Sequence, residues 1–221
     1  MQSVNLLSRK RSRFRSRLLR HHLPLLVLSF VSVAALYFTR PYPDVISRAS
    51  FATAYPALVL LAATLMVGPW NVLRRTANPV SNDLRRDMGI WAGILGAVHA
   101  VVGQCVHLRG RPWLYYVYGP GEHHRGMRHD LFGLANYTGA LGTLLLIALL
   151  ATSNDVSLRR FGALKWKQLQ RWNYAVFALV AAHSIAFQMV EKQKQPWVIT
   201  VAICIAAALI MQIAGITRRI A

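Results

Sequence analysis

Six stretches of this chain are predominantly apolar and contain no Lys, Arg, Asp or Glu. A helix needs roughly 20 apolar residues to cross the hydrocarbon core of a bilayer, so even the first and shortest stretch is near the required length. The stretches are Leu23–Thr39, Ala49–Leu73, Met88–Leu108, Leu131–Asn154, Trp172–Val190 and Gln195–Thr217. Their apolar residues are continuous rather than alternating, which predicts helices and not the strands of a barrel. We therefore expect an all-α integral membrane bundle of six transmembrane helices.

The composition supports this membrane assignment. Hydrophobic residues make up 55% of the chain and charged residues 15%, whereas a soluble domain carries about 25% charge. The charge is one-sided, with 26 Lys and Arg against 7 Asp and Glu. In a polar chain this excess would suggest nucleic acid, but beside so much apolar surface it favours a lipid bilayer as the partner. We expect no nucleic-acid partner.

The distribution of Lys and Arg predicts the orientation. If the N-terminus is cytoplasmic, the inner segments carry 18 of these residues and the outer segments carry 8, as the positive-inside rule requires. Both termini are then cytoplasmic: residues 1–22 form a basic tail, 23–217 the bundle and 218–221 the other end. A signal peptide would also begin with basic and apolar residues, but no small-residue cleavage site follows Tyr37 and Phe38, so we retain the first span.

Two histidines lie inside the predicted spans at matching depth. His99 is 13 residues beyond Arg86 and His183 is 12 beyond Arg171, which places each about 18 to 20 Å along its helix. Two imidazoles at one level on different helices of a bundle can bind the two faces of a haem as axial ligands. The alternative is a pair of interhelical hydrogen bonds with no metal.

His107 follows His99 by eight residues. On a continuing helix it would lie about 12 Å further out and roughly 80° around the axis, so it could not bind the same iron from the same side. A contact to a haem propionate, an additional metal at the outer face and a simple interfacial position all remain open.

The longest connection contains a further group of histidines. His123, His124 and His129 lie there near Glu122 and Asp130. Zinc or copper capture is one interpretation, although the spacing matches no tight ligand motif. A solvated loop is the other.

Small residues form a stripe along the third span beside His99. The stripe consists of Gly89, Gly93, Gly96, Ala100 and Gly103. Close approach by a partner helix and close approach by a porphyrin both explain such a stripe. Cys105 and Cys204 lie inside predicted spans without a CxxCH motif, which gives no indication of covalent c-type haem attachment.

No nucleotide-binding motif accompanies these features. The chain has neither a GxGxxG after a strand nor a phosphate loop, and no segment is large enough for a separate nucleotide domain. If the protein moves electrons, another polypeptide or a quinol must supply them.

Several motifs resemble the bacterial ferric reductase-like transmembrane domain. This superfamily includes the haem-binding membrane subunit of the periplasmic methionine sulfoxide reductase system and the membrane domains of NADPH oxidases. The similarity extends from about Ala49 to Lys192. The residues that carry it are Gly68 to Leu73, Asn78 to Trp91, His99, Leu158 to Arg160, Trp166 to Lys167, Gln170 to Tyr174, and His183.

The resemblance implies one b-type haem, with His99 and His183 as the axial ligands nearer the outer face. Many family members have a second histidine at the position of Gln170, and Arg85 or Arg86 occupies the matching inner position on the third span. We therefore expect no inner haem.

The resemblance also implies an oxidoreductase component of the bacterial inner membrane that lacks its own flavin or NADPH domain. A quinol or a flavoprotein would be the electron donor, and ferric iron or a periplasmic reductase the acceptor. Arg109 and Arg111 are candidates to pair with the haem propionates, and ordinary interfacial arginines are the alternative. A haem-free membrane scaffold or small transporter is the alternative, although the absence of Asp and Glu from the spans argues against proton-coupled transport.

Overall fold

The computed structural model describes residues 15–40, 42–76, 83–108 and 110–220, and these residues are almost entirely helical. Leu18–His22 form a π-helical turn before the first helix. Within these residues we name seven α-helices: α1 (Leu23–Thr39), α2 (Val45–Leu73), α3 (Asp83–Gly103), α4 (Leu131–Thr152), α5 (Asp155–Gln170), α6 (Asn173–Val190) and α7 (Gln195–Ile220). The described residues contain no β-strand, only one isolated bridge between Val117 and Met127.

Polar side chains mark where three of these helices begin. Asp44 accepts a hydrogen bond from the Ser47 amide at 2.8 Å before α2, and Asp130 accepts one from the Gly133 amide at 2.7 Å before α4. Asn154 accepts one from the Ser157 amide before α5. Each cap satisfies an amide that has no partner inside its own helix, so the starts of these helices are encoded locally.

Five helical runs are long and apolar enough to cross a membrane: Arg15–Thr39, Val45–Leu73, Leu131–Thr152, Asp155–Val190 and Gln195–Ile220. They show a multi-pass membrane protein. The predicted third span, Met88–Leu108, is not among them. Helix α3 begins at Asp83, includes charged residues in its first turns and already ends at Gly103, so its apolar part is shorter than the sequence suggested.

Helix α2 lies at the centre of the bundle. It packs on α1, α3, α6 and α7, while α3 also packs on α4 and α4 on α6. Leu58, Leu61 and Leu65 of α2 are buried in the main hydrophobic core. Most of the apolar surface of α1 and α7 remains exposed, as expected for helices that face lipid.

The glycine stripe of α3 serves helix packing at most of its positions. A Cβ on Gly93 or Gly96 would meet Leu150 or Leu146 of α4, and a Cβ on Gly89 would meet Thr64 of α2. Of the two explanations offered by the sequence, close approach by partner helices accounts for these three glycines.

We expect the substitution Gly215→Ala to loosen the contact between α7 and α2. Its Cβ would lie 2.8 Å from the Cβ and 3.0 Å from the Cα of Pro69, and backbone at that position cannot move aside. Overpacking of this kind costs about 1–3 kcal/mol, measurable as a lower thermal unfolding midpoint in detergent. Gly89→Ala is the matched control because its Cβ would make an ordinary 3.5 Å contact. Equal stability of the two variants would contradict this packing.

A buried carboxylate holds residues 17–22 against the N-terminal end of α3. Asp87 has no exposed surface and accepts hydrogen bonds from both Nε and Nη2 of Arg17. His21 Nδ1 lies 2.8 Å from Asp87 Oδ2, and His22 Nε2 lies 3.3 Å from Oδ1. Three basic side chains thus surround a single buried acid.

Candidate functional site

The structure brings His99 and His183 together. His99 projects from α3 and His183 from α6, and their ring centroids are 6.1 Å apart with an interplanar angle of 73°. This agrees with the equal depth expected from the sequence. Both residues remain partly accessible in the chain.

Backbone carbonyls fix the orientation of both rings. His99 Nδ1 lies 3.0 Å from the Ser50 carbonyl oxygen of α2, and His183 Nδ1 lies 2.8 Å from the Ala135 carbonyl oxygen of α4. Because a carbonyl oxygen only accepts, each Nδ1 must carry the proton and donate it. In the neutral imidazole this leaves the lone pair on Nε2, which is the nitrogen available for a metal.

Gly139 makes the position of His183 possible. A Cβ at residue 139 would lie 2.5 Å from His183 Nδ1 and 2.7 Å from Cε1. The ring therefore packs directly on the backbone of α4, one turn after the Ala135 carbonyl that holds it. The sequence analysis missed both Gly139 and Ala135. A glycine in the middle of an apolar span is a visible signal, but its partner cannot be read from sequence alone.

The distance between the two imidazoles matches that of opposite ligands on one metal ion. A metal–nitrogen bond is about 2 Å long and the ring centre lies about 1 Å beyond the nitrogen, so two opposite imidazoles have centroids about 6 Å apart. The observed separation is 6.1 Å. The described residues contain no group of three or more His, Cys, Asp or Glu that could hold a metal, so the protein offers a metal here no more than these two imidazoles from those residue types.

His107 is not on helix α3, contrary to the geometry expected from its spacing. The helix ends at Gly103, and residues 104–108 form turns and a bend. The reason is the buried Tyr115, whose hydroxyl donates to the Gly103 carbonyl and accepts from the His107 amide at 2.8 Å. The same early end places Cys105 outside the helix.

His107 instead pairs with Glu191 at the C-terminal end of α6. His107 Nε2 lies 3.0 Å from Glu191 Oε1, and this hydrogen bond holds the pKa of Glu191 below its ordinary value. The His107 ring contacts Phe187, which also contacts His183 with a centroid distance of 4.9 Å. Ring contacts thus connect His183 through Phe187 to His107.

Arg109, one of the two predicted propionate partners, lies outside the described residues. Arg111 is exposed and directly precedes the short 3-10 helix Pro112–Tyr115. Its role toward a propionate stays a prediction.

Arg86 and Gln170, which the resemblance matched to inner haem positions, are engaged in protein contacts. Arg86 donates to the Ser153 carbonyl at 3.0 Å and to Asp155 at 2.6 Å. Gln170 lies at the end of α5 and its amide is 3.5 Å from the Thr152 hydroxyl. These contacts connect α3 and α5 to the end of α4.

Comparison with known proteins adds no identification. No protein-family model matches this chain, and no solved structure matches it.

Proposed function

We propose that this chain is a b-type cytochrome-like electron-transfer protein of the bacterial inner membrane, with His99 and His183 as axial ligands of one haem. The observation that carries the proposal is the pair of rings 6.1 Å apart, each with Nδ1 held by a carbonyl. Such partners fix the tautomer and ring orientation of metal-binding histidines. The resemblance to the ferric reductase-like transmembrane domain supports the same assignment.

In this proposal the helices hold both Nε2 atoms ready before the haem binds. Ser50 and Ala135 orient the rings from outside the site, and Gly139 provides the space for His183. When bound, haem supplies a one-electron redox couple, and two histidine ligands leave no coordination position for oxygen. Phe187 and His107 extend the aromatic contacts toward the outer face, where ferric iron or a periplasmic reductase would accept the electron. A quinol or a flavoprotein would donate it.

The proposal includes six membrane spans with both termini in the cytoplasm. In addition to the five long apolar runs, helix α3 would cross the membrane as the third span along the chain. The excess of Lys and Arg in the inner segments supports the orientation. The Arg86 and Asp155 contact and the Asp87 cluster would lie at the cytoplasmic surface, where charged groups are tolerated.

Absorption spectroscopy of the purified protein tests the proposal. After expression with sufficient haem, we expect a Soret band that shifts on reduction, and a loss of at least tenfold in bound haem in both His99→Ala and His183→Ala. His107→Ala is the control, because its ring pairs with Glu191 and contacts Phe187 rather than His99 or His183. A wild-type protein without a Soret band, or full haem retention in both single variants, would contradict the proposal.

A haem-free scaffold or small transporter is the second candidate, and one observation favours it. The Nδ1 contacts join α3 to α2 and α6 to α4, so they are themselves interhelical hydrogen bonds, which contribute stability within membranes. Under this candidate the wild-type protein has no Soret band, yet both alanine variants unfold more easily. The same preparations therefore separate the two candidates.

A further inference from the structure

The connection between α3 and α4 contains a closed loop. The Tyr118 amide donates to the Gly126 carbonyl and the Arg128 amide donates to the Tyr116 carbonyl, both at 2.9 Å. Gly121 and Gly126 adopt positive φ angles of 93° and 82°, which glycine accommodates without strain. The loop therefore has a defined path, although most of its side chains are exposed.

Arg128 binds the two acidic residues of this loop. It donates to Asp130 at 2.9 Å and to both carboxylate oxygens of Glu122 at 3.3 Å. Burial acts to raise the pKa of Asp130, but hydrogen bonds from Arg128 and the Gly133 amide outweigh it and hold this pKa below its usual value. The carboxylates of Glu122 and Asp130 therefore both stabilise the loop by binding Arg128.

This arrangement brings two exposed histidines together. The rings of His124 and His129 have centroids 4.8 Å apart and an interplanar angle of 77°. Each ring also contacts Tyr118 at 5.3 Å. His123, the third histidine of the loop, is also exposed.

We propose that His124 and His129 form a two-imidazole site for Cu²⁺ at the end of the bundle that carries this loop. With a metal–nitrogen bond of about 2 Å and a ring centre about 1 Å further, neighbouring ligands at roughly 90–110° have centroids about 4–5 Å apart. The observed 4.8 Å fits neighbouring positions, whereas the 6.1 Å of the His99 and His183 pair fits opposite ones.

The ligand set favours copper over other divalent metals. Imidazole nitrogen binds Cu²⁺ most strongly in the first-row series, and Cu²⁺ accepts tetragonal sites completed by water. A structural zinc site requires four protein ligands, and the described residues provide no group of three or more that could hold a metal. The site is accessible because both histidines lie on the exposed surface.

Titration of Cu²⁺ into the full-length protein tests this site, using an affinity tag without histidine. We expect one Cu²⁺ per chain with an electron paramagnetic resonance spectrum that shows two nitrogen ligands. His124→Phe and His129→Phe keep a ring beside Tyr118 but remove the nitrogens, and each should weaken binding at least tenfold. Zn²⁺ should bind more weakly than Cu²⁺.

His123→Phe and His107→Ala are the matched controls and should keep the affinity of the wild type. Unchanged Cu²⁺ affinity in both His124→Phe and His129→Phe would show that the two rings only pack, and would overturn the site. An equal loss in His123→Phe or His107→Ala would overturn the assignment to this pair, and tighter binding of Zn²⁺ would overturn the choice of metal. None of these results depends on haem binding.

Discussion

Gly139→Ala is expected to displace the His183 ring and to lower haem binding at least tenfold. The added Cβ would lie 2.5 Å from Nδ1 and 2.7 Å from Cε1 of His183, so the ring must leave the Ala135 carbonyl. Loss of a partner that orients a metal-binding histidine typically costs 10–100-fold in affinity, and here the ring itself also moves. The measurement is the haem content per chain, from the Soret absorbance of the purified variant.

Gly142→Ala provides the matched control for this prediction. Gly142 lies one turn further along α4 at the same interface with α6, but its Cβ would make an ordinary 3.4 Å contact with Leu179. Both substitutions raise helix propensity by about 1 kcal/mol, so a difference between them reports the histidine contact. Normal haem content in Gly139→Ala would contradict the role that we assign to His183.

The second large effect is expected from Asp87→Asn, which removes the negative charge that Arg17, His21 and His22 surround. Arg17 would lose its buried counter-charge, and the contacts to His21 and His22 would lose theirs. Removal of one partner from a buried ion pair lowers the free energy of unfolding by about 3–5 kcal/mol, because the other charge stays buried without compensation. We expect a corresponding fall in unfolding free energy in detergent and a release of the N-terminal segment from α3.

Asp83→Asn is the control, since this residue lies one turn earlier on α3 and is partly exposed. Its Oδ1 is 3.9 Å from Arg17 Nε, and pairs of this kind contribute about 0–1 kcal/mol. If Asp87→Asn were no less stable than Asp83→Asn, the buried cluster would not fasten the N-terminal segment.

The sequence predicted most of the helices because continuous apolar runs have a direct physical meaning in a membrane chain. The first run, Leu23–Thr39, ends where α1 ends, although the helical run already begins at Arg15, and the starts of α4 and α7 were correct. The depth match between His99 and His183 was accessible for the same reason: counting along a helix converts residue number into distance.

The remaining differences arise from tertiary contacts. Tyr115 lies outside the predicted third span. Its hydroxyl nevertheless donates a hydrogen bond to the carbonyl of Gly103, the last residue of α3. Because α3 ends there, His107 lies outside the helix, and the apolar part of α3 is shorter than the predicted third span. The charged segment that forms α5 has no continuous apolar run, and the sequence analysis treated it only as a connection.

The site shows the same division. The proximity of the two histidines could be predicted from their depth, but Ser50, Ala135 and Gly139 contact them through backbone or through an absent side chain. The type of such a residue gives little indication that it contacts a histidine. The carbonyl partners therefore became apparent only when α2 and α4 were placed beside the rings.

Electron paramagnetic resonance of the oxidised protein, combined with haem quantification, tests the central claim most directly. We predict one haem per chain and a strongly anisotropic low-spin ferric signal, because the two imidazole planes are 73° apart and so nearly perpendicular. A chain purified without haem, or a high-spin signal from iron with only one histidine ligand, would contradict the account.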